Sequence, residues 1–165
     1  MGCWWLPFLS FYKRCQVTKI SEVKVKIESS IDNLNSAGLP EGDTEKNFTE
    51  AEGFFKYSEN EAVLTYAEEN EGGRAESEII IANGCVRVKR KGAIESDMYF
   101  KEGETSLSIY SVPPYKFDMS VFAKRVRISL DENGGKIDLL YNMKIGGAEK
   151  SARMKIWILQ PSNQI

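Results

Sequence analysis

The chain has 165 residues, of which 42% are hydrophobic and 28% are charged, and its formal net charge is -2. This composition is typical of one soluble globular domain that buries a core without disulfides or metals. The sequence contains no histidine, which is the commonest general base and metal ligand. Hydrolases with a histidine-based triad are therefore excluded, and the small net charge predicts no long-range attraction to nucleic acid or to an anionic membrane.

The cysteines give no sign of a structural site. Cys3, Cys15 and Cys85 are odd in number and follow no paired spacing, so they indicate neither a zinc site nor a disulfide framework. We expect no metal and no cofactor. A reducing compartment, the cytoplasm, fits this cysteine usage best.

The N-terminus carries an apolar run from Trp4 to Tyr12, with the basic residues Lys13 and Arg14 after it. A secretory signal has the opposite charge order, and a transmembrane helix needs about 20 apolar residues. We therefore expect residues 1–18 to form an apolar extension outside the main domain, in preference to a membrane anchor.

Strand signals begin after this extension. The stretch from Val23 to Ile27 alternates apolar and charged residues, which predicts a strand with one wet face. Asn33 to Asp43 is rich in Asn, Ser, Gly and Pro and predicts a loop, and a second strand is predicted from Glu45 to Tyr57. Gly53 in the middle of that strand predicts a bend or a bulge.

Short strands separated by turn signals follow. They are predicted over residues 62–68, 78–82, 85–91, 94–100 and 107–112. The acidic run from Glu68 to Gly73 predicts a solvated loop, and Asn83-Gly84 is the strongest hairpin signal in the chain. Pro113-Pro114 interrupts the pairing, because proline has no N–H to donate to a neighbouring strand.

The strand after the prolines changes face. Apolar residues keep one parity from Phe117 to Val121 and the opposite parity from Val126 to Leu130. A strand changes face only through an irregularity, so we predict a bulge or a kink between Val121 and Val126. Alternation over residues 137–145 and 152–159 predicts the last two strands.

Nine or ten short strands and no helical period predict an all-β protein. We expect an antiparallel, mostly up-and-down β-barrel of about eight to ten strands, because closure removes exposed strand edges. A two-sheet sandwich is the alternative. The predicted organisation is a single barrel domain over residues 19–160 and a C-terminal tail over residues 161–165.

Several residues on these strands resemble a known family. They are the run from Arg90 to Ile94, then Phe100, Gly103, Tyr110, Pro114 and Tyr115, and the strand from Gly135 to Met143. This set resembles the YwiB-like family of small uncharacterised bacterial proteins, over about residues 20–160. The resemblance implies a calycin-type β-barrel, similar in shape to lipocalins and fatty-acid-binding proteins, in a family without an assigned biochemical role.

Arg90 is the first candidate binding residue. In the strand from Cys85 to Lys91 it shares parity with Val86 and Val88, so it points into the barrel if they do. A buried guanidinium needs a carboxylate or carbonyl partner, or it holds an anionic ligand. The alternative is that Arg90 covers the barrel mouth, with its charge in solvent.

Aromatic residues on the strands form a second candidate set. They are Phe55, Tyr57, Tyr66, Phe100, Tyr110, Phe117 and Tyr141. They would line a pocket for an apolar molecule, with tyrosine hydroxyls as orienting donors, or they would fill the core of a small barrel. The predicted ligand-binding residues are Arg90, Tyr57, Tyr66, Phe100, Tyr110 and Tyr141.

Basic residues on the opposite parity form a third set. They are Arg87, Lys89, Lys91, Lys124, Arg125, Arg127, Arg153 and Lys155, with Trp157 nearby. On neighbouring strands they would make a stripe able to contact phosphates; otherwise they form a solvated outer face that protects strand edges. The sequence carries no RNA-binding signature, so no strong nucleic-acid signal is present.

Two functions remain open at this point. The first is a non-enzymatic barrel that binds a small apolar or amphipathic anion. The second is a filled barrel whose outer face binds a protein, or less favourably a nucleic acid. No residue set supplies a recognisable catalytic mechanism, so an enzyme is not expected, and the sequence assigns no oligomeric state.

Overall fold

The computed structural model describes residues 18–162, so most of the predicted N-terminal extension and the end of the chain lie outside the described residues. The described part consists of ten β-strands without a helix. The strands are β1 (Lys19–Leu34), β2 (Pro40–Tyr57), β3 (Glu61–Asn70), β4 (Gly73–Ala82), β5 (Cys85–Gly92), β6 (Ser96–Phe100), β7 (Thr105–Val112), β8 (Tyr115–Asp131), β9 (Gly134–Ile145) and β10 (Ala148–Leu159).

All ten strands belong to one antiparallel sheet, in the order β6-β5-β4-β3-β2-β1-β10-β9-β8-β7. The first and last strands are neighbours, with Lys24 opposite Leu159. The sheet curls until its two edge strands meet. There Glu95 and Ser111, just outside β6 and at the end of β7, exchange backbone hydrogen bonds of 2.9 and 2.8 Å. The prediction of an antiparallel all-β barrel is confirmed, and closure is nearly complete.

Two predicted loops are wrong in extent. The loop predicted from Asn33 to Asp43 is only the turn 35–39, because β1 and β2 form a long hairpin. Asn35 Oδ1 stabilises that turn by accepting hydrogen bonds from the N–H groups of Ala37 and Leu39. The acidic loop shrinks to residues 71–72. Both stretches project beyond the core and are mostly exposed, so they lack the alternation that marks a half-buried strand.

The irregularity predicted between Val121 and Val126 is confirmed. The register of β8 against β9 shifts between Ala123 and Arg125, so Lys124 is the extra residue. The shift allows Ala123 and Val121 to face the core while Arg125 faces outward on the same strand. A second shift, between Ile31 and Asn33, bends the β1–β2 hairpin.

The barrel interior divides along its axis. One half, here called the packed half, is filled by branched and aromatic side chains that are buried almost completely. These are Val25, Phe55, Leu64, Ile79, Ile81, Val86, Ile137 and Ile158. Each such burial contributes about 1.5–3 kcal/mol of transfer free energy. The other half, here called the hollow half, holds the ends of the same strands around open space.

Candidate ligand-binding site

The hollow half surrounds a cavity of about 990 Å³. Its wall combines polar and apolar side chains, and the apolar ones include Ile27, Ile31, Met98, Tyr110, Met119, Tyr141, Met143 and Met154. These include every methionine in the part of the chain that the structure describes. Methionine is unbranched and polarisable, so this wall can adapt to the shape of an apolar molecule.

The mouth of the cavity is a fork between β2 and β3. Their ladder runs from Tyr57 only as far as the pair Gly53–Tyr66, beyond which the two strands have no register with each other. A Cβ atom at Gly53 would press against the Thr65 carbonyl oxygen, so glycine permits the close approach just before the fork. The rim beyond it is formed by Glu45 and residues 47–50 of β2 and by residues 67–70 of β3.

A row of polar side chains crosses the inner wall at the level of this fork. Tyr66 on β3 lies opposite Ser77 on β4, Ser77 opposite Arg90 on β5, and Arg90 opposite Ser96 on β6. Tyr66, Ser77 and Ser96 are 5%, 3% and 8% exposed. Arg90 lines the cavity and also borders a cleft of about 760 Å³ at the seam between β6 and β7. Four neighbouring strands therefore present one continuous polar strip to the interior.

Three atoms of this strip are buried and make no hydrogen bond of good geometry: Tyr66 Oη, Ser77 Oγ and Arg90 Nε. They lie close enough to interact, because Ser77 and Arg90 both lower the pKa of Tyr66. No ion pair of Arg90 occurs among residues 18–162. An unsatisfied buried polar group costs about 1–3 kcal/mol, and native proteins contain few of them. Of these three side chains only Arg90 is among the residues around the cavity, so its guanidinium marks the place where a hydrogen-bonding molecule would be stabilised.

The tyrosines near Arg90 keep their protons at neutral pH. Burial raises the pKa of Tyr141 to about 12, although the nearby Arg90 charge acts in the opposite direction. Burial also raises the pKa of Tyr66, against the lowering effects of Arg90 and Ser77. Both phenols are therefore O–H donors beside the guanidinium. This combination suits an anionic oxygen better than a cation.

The other aromatic candidates are dispersed. Phe100 is fully buried and packs edge-on against Tyr141, with ring centroids 4.9 Å apart. It therefore helps to fix the position of the Tyr141 ring. Tyr110 lines the cavity. Tyr57 lies beside Phe55, with centroids 6.0 Å apart, and is not among the residues around the cavity.

Sequence reasoning missed Ser77, Ser96 and the methionine wall. Alternation in β4 puts Ser77 on the face of Ile79 and Ile81, a signal that could have identified it as an inward polar residue. Its position next to Arg90 depends on the pairing of β4 with β5, which the Asn83-Gly84 turn fixes.

A second hollow, of about 710 Å³, lies against the outer face of β1–β5. Opposite charges face each other there across neighbouring strands: Lys24 and Glu52, Glu76 and Lys91, Glu78 and Lys89. These side chains can neutralise one another in solvent. Tyr66 and Ser77 of the polar strip also border this hollow, whereas Arg90 and Ser96 border the interior cavity.

Two chemical features are absent from the described residues. Within residues 18–162 no group of three or more His, Cys, Asp or Glu side chains could hold a metal ion. The same residues contain no helix of the length and apolarity needed to cross a membrane.

Comparison with known proteins gives the family. The chain is 26% identical over 98 residues to the "Uncharacterized beta-barrel protein YwiB" of Bacillus subtilis (strain 168), covering 59% of this chain and 69% of that protein. The crystal structure of the ywiB protein from Bacillus subtilis superposes with a TM-score of 0.75 at 23% identity, covering 88% of this chain and 96% of that one. The family described as "Domain of unknown function (DUF1934)" matches residues 31–158, and the chain therefore belongs to this family, which includes uncharacterised β-barrel proteins.

Proposed function

We propose that this barrel is a non-enzymatic, cytoplasmic binding protein that holds one small amphipathic anion in its cavity. The observation that carries the proposal is the guanidinium of Arg90, which lines the cavity, has no ion pair among residues 18–162, and has its Nε buried without a hydrogen-bond partner. A charge in such surroundings is stabilised by an anion that accepts its hydrogen bonds. The cytoplasmic compartment rests on the cysteine usage alone.

The wall and the mouth narrow the class of ligand. The four methionines and Ile27 offer an apolar surface, so most of the ligand is apolar. The rim carries Glu45, Glu68 and Glu69, while Glu50 is paired with Lys26 and the cavity has one lysine, Lys150. The excess of negative charge repels anions as they enter. A molecule with a single anionic group and an apolar body fits both features, whereas a small multivalent anion such as free phosphate does not.

We favour this function over an interaction module with a filled interior. That alternative requires side chains to occupy the whole barrel, whereas the cavity of about 990 Å³ is large enough for a drug-sized molecule.

The test uses two fluorescent probes that differ in charge. The first, 1-anilinonaphthalene-8-sulfonate, carries an anionic group on an apolar body; the second, N-phenyl-1-naphthylamine, has the same rings without the sulfonate. Both are expected to fluoresce in the cavity of the unmodified protein. Arg90→Met should weaken binding of the anionic probe at least about tenfold, because a charge-assisted contact is lost. The same change should leave binding of the neutral probe within about twofold.

The matched control is Arg74→Met, which removes the same charge from the exposed side of β4. It should leave the affinity for both probes unchanged. Arg90→Met should also leave the free energy of unfolding unchanged or raise it by about 1 kcal/mol, because it removes a half-buried charge that has no ion pair and whose Nε has no hydrogen-bond partner. A clear loss of stability would show that Arg90 is structural. If Arg90→Met weakened binding of the two probes equally, the proposed contact with the anionic group would be contradicted.

A further inference from the structure

The outer face of β8, β9 and β10 concentrates positive charge. It carries five cations, here called the basic face: Arg125, Arg127, Lys136, Arg153 and Lys155. Arg127 and Lys155 lie directly opposite the central Asp138 from its two sides. Arg125 and Arg153 flank Leu140 in the next row. The chain as a whole has a net charge of -2, so this concentration is local.

One carboxylate organises this face. Asp138 is 8% exposed and accepts two hydrogen bonds from Arg153, of 3.1 Å from Nε and 2.7 Å from Nη2. Arg125 Nη2 lies 3.7 Å from the same carboxylate, while Arg125 Nε is buried without a partner. A single negative charge therefore fixes two guanidinium groups and leaves most of the positive charge of the face uncompensated.

The adjacent strand β1 does not cancel that excess. It adds Glu28, which lies opposite Lys155, and Lys26, whose ammonium group is 3.2 Å from the carboxylate of Glu50. Glu28 therefore removes about one unit of charge from the edge of the basic face, and Lys26 is already neutralised. The cations of β8 and β9 have no counterpart on β1.

The spacing of the cations is regular because they follow sheet geometry. Residues two apart on one face of a strand are about 6.6–6.8 Å apart, which separates Arg125 from Arg127 and Arg153 from Lys155. These two tracks lie on β8 and β10, with β9 between them, so they are about 9.5 Å apart. The bulge at Lys124 is what turns Arg125 and Arg127 outward.

A half-buried aromatic ring lies at one end of the tracks. Trp157 follows Lys155 on β10, and the Lys136 ammonium group lies 5.2 Å from its ring centroid. Cations next to a half-buried indole are a combination that can bind phosphates and stack a base at the same time.

We infer that the basic face binds single-stranded nucleic acid. Phosphates lie along the cations of β8 and β10, and one base stacks on Trp157. The ring can stack only on an unpaired base, so a single strand fits this surface better than a duplex. This site is separate from the interior cavity and is independent of the function proposed for it.

The experiment measures binding of a fluorescein-labelled oligothymidylate to the full chain by fluorescence anisotropy, from about 50 to 200 mM salt. Three or four phosphate contacts predict a slope of log K against log salt of about -2 to -3. The double variant Arg127→Gln/Lys155→Gln keeps the Asp138 contacts and should make that slope shallower by about 1.4. Trp157→Leu should weaken binding at least about fivefold by removing the stacking surface.

The control is the double variant Lys89→Gln/Lys91→Gln, which removes the same charge from β5, outside the basic face. It should leave both the affinity and the slope unchanged. Equal weakening by the two double variants would overturn the inference, because binding would then follow net charge alone. No binding at about 50 mM salt, equal binding of the matching duplex, or tighter binding to phosphatidylglycerol vesicles would also overturn it.

Discussion

The packed and hollow halves of the barrel are built from the same strands but differ in how their interiors are filled. In the packed half, Phe55 and Leu64 lie in register on β2 and β3 and are fully buried. In the hollow half, the continuations of these two strands separate after Gly53 and leave the cavity mouth between them. Branched side chains fill the first half, whereas flexible methionines and the polar strip line the second.

This difference would let a small barrel combine stability with the proposed binding site. Continuous strand pairing and dense packing stabilise one half, and this stability offsets the cost of unsatisfied polar groups in the other half. If this division is correct, equivalent substitutions in the two halves will have unequal costs.

The largest difference is expected between two truncations. Leu64→Ala leaves a void in the packed half and should lower the free energy of unfolding by about 3–5 kcal/mol. Met143→Ala only enlarges an existing cavity and should cost about 1–2 kcal/mol, since fewer contacts are lost. Urea unfolding of both variants measures the two values. Equal costs would mean that the hollow half is as tightly packed as the other.

An intermediate effect is expected at the boundary between the halves. Gly53→Ala places a methyl group against the Thr65 carbonyl oxygen and should cost about 1–3 kcal/mol, as overpacking does. Thr49→Ala, on the same strand beyond the fork, is the control and should cost less than about 0.5 kcal/mol. Hydrogen exchange at β3 amides should accelerate in Gly53→Ala alone. Unchanged exchange would contradict the role assigned to this glycine.

The smallest expected effect is the dependence of stability on pH that is due to Asp138. The hydrogen bonds from Arg153 hold the pKa of Asp138 below its ordinary value, so the folded state favours the ionised carboxylate. This contribution is fully present above the unfolded pKa of about 3.9 and is lost as pH falls through the lower folded pKa. Asp138→Asn should therefore cost about 1–2 kcal/mol at pH 6, and this cost should shrink as the pH falls below the unfolded pKa of about 3.9.

Chemical denaturation of wild type and Asp138→Asn at several pH values measures this difference. The difference isolates Asp138 because all other carboxylates titrate in both proteins. A cost independent of pH would show that the Asn side chain disturbs packing instead of charge. Arg153→Met serves as the partner control and should show the same trend with pH.

Local pattern predicted much of this fold. Alternation identified most strands, and the change of parity after Val121 located the bulge. Parity in β5 also indicated that Arg90 lies on the face of Val86 and Val88, and all three residues face the interior. These features depend on neighbours along one strand, which a sequence displays directly.

Features that depend on pairing between strands were not accessible in the same way. The strip of Tyr66, Ser77 and Arg90 depends on the registers of three strands. The cavity depends on where the β2–β3 ladder stops, and the sequence alone gave no reason for Tyr57 to lie away from it. Exposed polar stretches of β1 and β2 resembled a loop, because strands without a buried face show no alternation.

The pairing of β1 with β10 also determines when the fold can be completed. Lys24 and its partner Leu159 are separated by most of the chain, so this contact has a high sequence separation and favours slow folding. During synthesis one edge of β1 pairs with β2 while the other edge stays unpaired until β10 has been made. Another chain could pair with that free edge. Lys24 and Lys26 lie on β1, and lysines on an unpaired strand discourage aggregation until β10 emerges from the ribosome.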